Sequence, residues 1–201
     1  MRLARIILAS ASPRRYELLR SLGLEVVAIP SDYDEPAMPN VAPYELASLH
    51  AREKLRAVVG KIGLSEAVPM LAADTVVDLD GLALGKPSDA ADATRMLGML
   101  SGRKHAVHTA FALAPAPNAT WVEERATTRV RFYPLAPSEI AEYVATGEPF
   151  DKAGAYGIQG RAASLVEEIE GDFYTVMGLP LARVIRALRR LGFTLPNPNE
   201  R

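Results

Sequence analysis

Short apolar runs alternate with amphipathic segments along the chain, which is the pattern of buried strands followed by surface helices. Residues 6–9 form one such run, bounded by Ser10, and predict a buried strand. Ser12 and Pro13 then predict an N-cap and a first helical residue, because a proline at that position removes no donor that the helix needs. Leucines on one face carry this helix as far as Gly23, a residue typical of a helix end.

The same strand-like and helix-like patterns of apolar residues predict the remaining elements. Helices are predicted over residues 43–59, over residues 88–100 with Ser88 as the N-cap, from Ser138 to before Gly147, and from Pro180 onward. Strands are predicted over residues 70–79 with a hairpin partner that ends near Gly85, over 105–114 and 121–132, and in a second hairpin of 164–169 and 173–177. Residues 150–160 have neither period and predict an ordered loop at best. The tail from residue 196 is expected to fray.

This order of elements predicts an α/β fold with a mixed, twisted sheet and flanking helices. The 201 residues suffice for one sizeable core and at most two lobes, and no repeat or linker divides them. We therefore expect a single domain over residues 1–201.

Composition removes several classes of function. The formal charge of −1 gives no global field that would attract nucleic acid or a membrane surface. The absence of cysteine excludes disulfides, thiolate metal sites and cysteine nucleophiles. The N-terminal apolar run is too short for a secretory signal, and no stretch approaches the roughly 18–20 apolar residues of a membrane span. A soluble, cytoplasmic protein is expected.

The segment SASPRR places two arginines, Arg14 and Arg15, where the first strand passes into the first helix. Free N–H groups at a helix start favour an anion, whereas the helix macrodipole opposes cations there. Two arginines at this point therefore indicate an anionic partner, and guanidinium groups bind phosphate with matching geometry. A solvated pair of arginines beside a polar cap is the alternative.

The segment ADTVV puts Asp74 and Thr75 inside an otherwise apolar strand. An ionised carboxylate there is costly unless it is paired, hydrogen-bonded or bound to a metal. Asp74 is therefore a candidate for binding a divalent cation or for deprotonating water. A strand end at which Asp74 merely meets solvent explains the pattern equally well. Lys86, held by Pro87 just after the hairpin, is a weaker candidate, because a lone lysine is more often a surface residue.

Other polar segments have local patterns that leave their roles open. The acidic run at residues 32–35 suits either Mg²⁺ or a solvated loop, and Lys54 resembles part of an ordinary charged helix face. In KAGAYGIQG the glycines permit close backbone approach to a ligand, and Gln159 offers both a donor and an acceptor. Dinucleotide-binding, P-loop and serine-hydrolase motifs are absent from the sequence. The three histidines lack metal-ligand spacing and are expected to be structural or on the surface.

Together these segments are similar to the Maf family, also called septum-formation inhibitor proteins. The resemblance runs from residue 7 to about residue 191. It is carried by six motifs in the family's order: LASASPRRYELL, ADTVV, LGKP, LSGRKHAVHTA, KAGAYGIQG and GDFYTVMGLPL.

The resemblance implies an α/β fold related to the inosine-triphosphate pyrophosphatases, with the site in a cleft between two lobes. It implies a nucleoside-triphosphate pyrophosphatase that uses a divalent metal, Mg²⁺ or Mn²⁺, and releases a nucleoside monophosphate and pyrophosphate. KAGAYGIQG resembles the loop of the branch that acts on dTTP and UTP. A branch that acts on 7-methyl-GTP has an acid where Gln159 stands.

Residue roles follow from the same motif positions. The resemblance implies that Asp74 is the proton acceptor and that substrate preference depends on Arg14, Thr75 and Gln159. It also implies phosphate contacts from Ser10, Arg15, Lys54 and Lys86, and metal ligation by Glu35 and Asp74.

Two alternative functions remain open from the sequence. One is a pyrophosphatase for modified or purine nucleotides, and the other is a non-catalytic, nucleotide-binding regulator of cell division. The intact catalytic motifs favour the enzyme. The expected partner is a small-molecule nucleoside triphosphate, with neither nucleic acid nor membrane, and a homodimer is left open.

Overall fold

Seven strands form one sheet in the computed structural model, which describes residues 1–36, 38, 40–62 and 68–197. The strands are β1 (Arg5–Leu8), β2 (Glu25–Ala28), β3 (Met70–Leu79), β4 (Leu82–Leu84), β5 (Lys104–Ala114), β6 (Val122–Phe132) and β7 (Val166–Glu170). The α-helices are α1 (Pro13–Arg20), α2 (Pro43–Ile62), α3 (Ala90–Leu100), α4 (Pro137–Ala145), α5 (Phe173–Met177) and α6 (Leu181–Arg190). Short 3₁₀ helices at Glu148–Asp151, Ala153–Ala155 and Gly160–Ser164 lie between α4 and β7.

The sheet is mixed, with strand order β2-β1-β3-β5-β6-β7 and with β4 paired to β3. Strand β1 runs parallel to both β2 and β3. The pairs β3–β4, β3–β5, β5–β6 and β6–β7 are antiparallel. The predicted α/β fold with a mixed sheet and flanking helices is confirmed. None of the helices among the described residues has the length and apolarity that crossing a membrane would require.

The two edges of β3 are paired differently. Along one edge, β5 pairs with β3 from Met70 to Asp78. Along the other edge, β1 pairs only with Met70 and Leu71, and β4 pairs with β3 from Val77 onward. Residues 72–76 therefore have no strand partner on that second edge within the described part of the chain. The sheet therefore has a gap along this edge, and the stretch of β3 that borders the gap includes Asp74 and Thr75.

Separate hydrophobic cores lie on either side of the gap. The first core packs α1 and α6 against the beginning of β3, at Leu71 and Ala73. The second packs α3 and α4 against its end, at Val77 and Leu79. Alternation along the strand puts both cores on one face of the sheet, and α2 covers the opposite face. The predicted arrangement of two lobes around a cleft is confirmed, and the lobes share the long strands of the sheet.

The predicted hairpin around Gly171-Asp172 is wrong in its second half, because residues 173–177 form helix α5. Asp172 starts this helix: its Oδ2 accepts hydrogen bonds from the Thr175 backbone N–H at 2.8 Å and from the Thr175 hydroxyl at 2.7 Å. Gly178 then ends it with φ at +109°. A five-residue apolar run is too short for its periodicity to separate a strand from a helix.

Smaller differences concern element boundaries. The N-cap of α3 is Asp89 rather than Ser88, because the Asp89 side chain accepts the Asp92 backbone N–H at 2.8 Å. The predicted loop at residues 150–160 contains short 3₁₀ helices. Of the tail that is expected to fray, residues 198–201 lie outside the described residues.

A buried aromatic cluster ties β5 to the KAGAYGIQG segment in the second lobe. His105 Nε2 lies 2.7 Å from the Tyr156 hydroxyl, and both rings meet Phe132 edge-on. His105 Nδ1 is buried without a hydrogen-bond partner among the described residues. Burial lowers the pKa of His105 to about 4, so the folded protein holds this ring neutral at physiological pH.

This cluster predicts acid sensitivity. An unfolded histidine has a pKa of about 6.5, so the unfolded state binds this proton first as the pH falls. The free energy of unfolding should therefore decrease between pH values of about 6.5 and about 4, and the part due to His105 should reach about 3 kcal/mol. Urea denaturation across that pH window measures the decrease.

The variant His105→Gln lacks the titrating ring and serves as the comparison. It should be less stable at neutral pH and lose less stability on acidification than the unmodified protein. Parallel pH profiles for the two proteins would contradict the assignment to His105.

Candidate active site

A cleft of about 1300 Å³ opens at the gap beside β3 and runs between the two lobes. This volume leaves ample room for a nucleotide-sized ligand. All the site residues singled out from the sequence line this one cleft: Ser10, Arg14, Arg15, Glu35, Lys54, Asp74, Thr75, Lys86 and Gln159. Segments that are far apart in the chain therefore converge on one space.

Asp74 lies in the middle of β3 and is only 4% exposed, which excludes the alternative of a strand end that merely meets solvent. Lys54 from α2 places its Nζ 2.6 Å from Asp74 Oδ1 and 2.6 Å from Glu35 Oε1. One ammonium group therefore bridges two carboxylates, which provides the pairing that a buried Asp74 requires. Asp74 Oδ2 has no protein hydrogen-bond partner in the described ranges. One carboxylate oxygen is thus available to a ligand.

Glu35 is held ionised by the same lysine. Partial burial raises the pKa of Glu35, but the charge and hydrogen bond of Lys54 outweigh burial and hold that pKa below its ordinary value. The predicted acidic run therefore supplies one carboxylate, Glu35, to the cleft beside Asp74.

Thr75 points to the opposite face of β3, because side chains alternate along a strand. On that face Arg15 donates from Nη2 to Thr75 Oγ1 at 3.0 Å and from Nε to the Gly178 carbonyl at 2.7 Å. Its Nη1 donates to Ser10 Oγ at 3.3 Å. These three bonds fix the plane of the guanidinium group at the wall of the cleft.

Arg15 is a buried cation that lacks a carboxylate partner. It is 9% exposed, and no carboxylate of the described residues lies within ion-pair distance of it. Burial lowers the pKa of Arg15, and the charges of Asp74 and Glu35 oppose that effect. Three of its five N–H groups are used on neutral oxygens, so two remain. An anion in the cleft is the natural partner for this charge.

The start of α1 adds to this preference. Ser10 Oγ accepts the Ser12 backbone N–H at 3.1 Å, and Ser12 in turn is the N-cap of α1. The first turn contains no acidic residue, so the positive end of the helix macrodipole is not neutralised there. The helix start and Arg15 therefore favour negative charge at the same place.

Arg14 and Lys86 bring cations to the cleft from different lobes. Arg14 belongs to α1 and donates from Nη1 to Asp151 Oδ2 at 2.9 Å. Lys86 follows β4, is exposed, and has no ion-pair partner among the described residues. The alternative of a solvated arginine pair therefore fails, because Arg15 is buried and Arg14 is paired across the cleft.

Sequence reasoning missed two polar residues of the cleft, Tyr33 and His50. His50 is 4% exposed, and its Nδ1 lies 3.1 Å from the Tyr33 hydroxyl. Burial lowers the pKa of His50, although Asp74 and Glu35 act in the opposite direction. The sequence signal that could have found His50 is helical spacing: His50 lies one turn before Lys54 on α2, so both side chains lie on the same face of the helix.

The residues present fit a hard divalent cation only with help from a ligand. No group of three potential metal-ligating side chains occurs within the described ranges. Glu35 and Asp74 offer oxygen ligands that already share one positive charge, that of Lys54. Mg²⁺ is commonly held by one or two carboxylates together with water and phosphate oxygens, so this donor set suits it.

Comparison with known proteins identifies the family of the chain. A family model described as Maf-like protein matches residues 5–191. A dTTP/UTP pyrophosphatase from Symbiobacterium thermophilum is 48% identical over 94% of this chain and 95% of that protein. A dTTP/UTP pyrophosphatase from Anaeromyxobacter dehalogenans is 50% identical over 96% of each chain. Among solved structures, the Staphylococcus aureus Ham1 protein shares the fold with a TM-score of 0.50 at 15% identity, over 90% of this chain and 97% of that one.

The contact between Gly178 and Arg15 yields a prediction. Gly178 has φ at +109°, and a Cβ there would lie 3.4 Å from Thr75 Oγ1 and 3.5 Å from Arg15 Nε. Gly178→Ala should cost about 1–2 kcal/mol in backbone strain and also disturb the guanidinium group. Calorimetric binding of inorganic pyrophosphate, used as a probe anion, should weaken several-fold.

Gly192→Ala is the matched control. Gly192 also follows a helix with positive φ, at +84°, but a Cβ there would meet nothing within 4 Å. It should lose similar stability and bind pyrophosphate normally. Equal binding losses in both variants would show that strain, rather than the Arg15 contact, is responsible.

Proposed function

The chain belongs to the Maf family, and on that premise we propose that it is a nucleoside-triphosphate pyrophosphatase that hydrolyses dTTP and UTP. The observation that carries the proposal is that one cleft contains both a buried cation without a carboxylate partner, Arg15, and a buried carboxylate, Asp74. Arg15 would bind the polyanion, and Asp74 would accept a proton from a water molecule beside that polyanion. The names of relatives that are 46–50% identical over nearly the whole chain support the same substrates.

The phosphates would bind where the cations converge. Arg15 offers two free N–H groups, and Lys86 offers an ammonium group without a partner in the described ranges. Lys54, on the Asp74 face of β3, and the Ser10 hydroxyl, which Arg15 contacts on the Thr75 face, add to these donors. Fixed donors that surround the triphosphate before the reaction stabilise the charge that develops on it, which supplies most of the rate enhancement in phosphoryl transfer.

Glu35 and Asp74 would hold a divalent metal, Mg²⁺ or Mn²⁺, in company with phosphate oxygens. When bound, that ion would neutralise phosphate charge and stabilise the departing pyrophosphate. Because Lys54 bridges the same two carboxylates, its ammonium group would have to give up at least one of them as metal and nucleotide enter.

Asp74 would act as the proton acceptor. A water oxygen forms a bond to the α-phosphorus while the bond from that phosphorus to the α–β bridging oxygen breaks in line. The water proton passes to Asp74, and pyrophosphate leaves with the electron pair of the broken bond. Lys54, on Oδ1, keeps the carboxylate oriented while the unpartnered Oδ2 is available to the water.

Base selection would depend on three other residues of the cleft: Gln159, Arg14 and Thr75. Uracil and thymine present a carbonyl, an imide N–H and a second carbonyl along one edge, and the Gln159 amide can complement a donor and an acceptor of that edge. Arg14 and Thr75 also line the cleft. These three residues are the proposed determinants of substrate preference.

Asp74→Asn should abolish turnover, by about a thousandfold or more, while nucleotide binding is largely retained, because the amide keeps the shape but is a far weaker proton acceptor. Turnover is measured as pyrophosphate and orthophosphate released from dTTP, UTP, CTP and purine triphosphates. The unmodified protein should release pyrophosphate, with dTTP and UTP as the best substrates. A preference for purines would support the alternative substrate class.

Asp78→Asn is the control on the same strand. Asp78 does not line the cleft; its Oδ1 accepts the Gly81 backbone N–H, and its Oδ2 faces His108 Nε2. In the amide, the oxygen can still accept the Gly81 N–H, while the NH₂ group donates to His108 Nε2 in the tautomer that carries its proton on Nδ1. This variant should keep turnover. Near-normal activity in Asp74→Asn would refute the role given to Asp74.

Gln159→Glu should lower kcat/KM for dTTP and UTP by about a hundredfold, because it replaces the amide donor with an acceptor that repels the base carbonyls. Gln159→Ala loses the same contacts without the added charge and should be less impaired. If both variants hydrolyse dTTP as the unmodified protein does, Gln159 does not read the base.

A further inference from the structure

An ion pair crosses the cleft between the two lobes. Arg14 on α1 donates from Nη1 to Asp151 Oδ2 at 2.9 Å, although 137 residues separate the two in the chain. Asp151 ends the 3₁₀ helix Glu148–Asp151 of the second lobe. The bond uses one edge of the Arg14 guanidinium group, so Nε and the other nitrogen remain available to a ligand.

The second oxygen of Asp151 holds another cation of the cleft. Lys152 Nζ lies 2.6 Å from Asp151 Oδ1 and 2.5 Å from the Glu148 carbonyl. The Lys152 side chain is 15% exposed, and the residue lines the cleft. One carboxylate therefore lies between two cations that would otherwise repel each other.

Lys152 in turn supports the segment that carries Gln159. A Cβ at Gly157 would lie 2.8 Å from Lys152 Cε, so the aliphatic part of the lysine packs directly on the backbone two residues before Gln159. On the far side of Gln159, the Arg161 backbone N–H donates to Glu148 Oε1 at 3.3 Å. The segment 148–152 thus braces the Gln159 backbone from both directions.

The surroundings of Asp151 favour a negative charge on its carboxylate. Partial burial raises its pKa, but the hydrogen bonds and charges of Lys152 and Arg14 together hold that pKa below the ordinary value. The carboxylate is therefore ionised at neutral pH, when both cations are charged. Exposed ion pairs contribute little to stability, so the effect of this pair lies in the geometry that it imposes on the cleft.

We propose that Asp151 is a positioning residue, which fixes Arg14 and the Gln159 segment relative to each other across the cleft and so sets the preference for pyrimidine triphosphates. The inference rests on the proposed function, in which Arg14 and Gln159 contact the substrate. Asp151 itself need not touch the nucleotide. Pre-set geometry of this kind lowers the cost of ordering flexible side chains when a ligand binds.

The test compares Asp151→Ala and Asp151→Asn by steady-state kinetics with dTTP, UTP and a purine triphosphate. In Asp151→Ala, KM for dTTP and UTP should rise about tenfold with a smaller change in kcat. The ratio of kcat/KM for dTTP or UTP to kcat/KM for the purine triphosphate should decrease. Asp151→Asn retains an oxygen that accepts the Arg14 hydrogen bond and should recover much of the loss. Thermal stability should change little in either variant.

Glu123→Gln is the control, because it weakens another inter-element arginine pair, with Arg52, away from the cleft. It should leave KM and preference unchanged. In the double variant Arg14→Ala/Asp151→Ala, the loss should be smaller than the two single losses combined, because Asp151 acts in part through Arg14.

Failure of this inference can be told apart from failure of the proposed function. If Arg14→Ala and Gln159→Glu change the preference while Asp151→Ala changes neither KM nor preference, Asp151 has no positioning role. The same holds if Asp151→Ala lowers only kcat, or only stability. If the unmodified protein prefers another triphosphate, the proposed substrates are wrong, and the same KM and preference ratios for that substrate decide the role of Asp151.

Discussion

The interruption of one edge of β3 is the constraint on which the site depends. A strand that is paired along both edges would bury Asp74 and Thr75 within a continuous sheet. Here β1 leaves that edge after Leu71 and β4 joins it only at Val77, so residues 72–76 have one edge without a strand partner in the described part of the chain, without being a loop. Its other edge remains fully paired with β5, which keeps the backbone rigid. Alternation then sends Asp74 to one face and Thr75 to the other, so a single strand serves two sides of one cleft.

Three of the cations around that strand are held by other groups before a ligand arrives. Lys54 lies between two carboxylates, Arg15 is held by neutral oxygens, and Arg14 is held by Asp151. The three arrangements differ in what a ligand must displace. Arg15 can accept an anion without losing any contact, whereas Lys54 is already engaged by two carboxylates.

Much of this molecule could be predicted from the sequence, because the signals were local or came from motifs. The strand at residues 70–79 and the helix that starts at Pro43 have strong periods and flanking turns, and both were found. Helix α5 was mistaken for a strand, because its start depends on a side-chain bond from Asp172 that periodicity does not report. The convergence of Arg14, Asp74 and Gln159 was expected from the family motifs and not from local physics. Tyr33 and His50 were missed because their contact joins two elements that are separate in the chain.

Strands β3 and β5 run without a break through both lobes, and that continuity limits how the molecule can respond to a ligand. Lobes joined by a flexible linker can swing about it, but here each lobe is built on a different stretch of the same hydrogen-bonded ladder. A wide rotation of one lobe against the other would break the hydrogen bonds of that ladder. Structural changes on ligand binding are therefore confined to side chains, connecting segments and small changes in sheet twist. The free energy needed to assemble the cleft is thus supplied once, when the chain folds, and not again in every catalytic cycle.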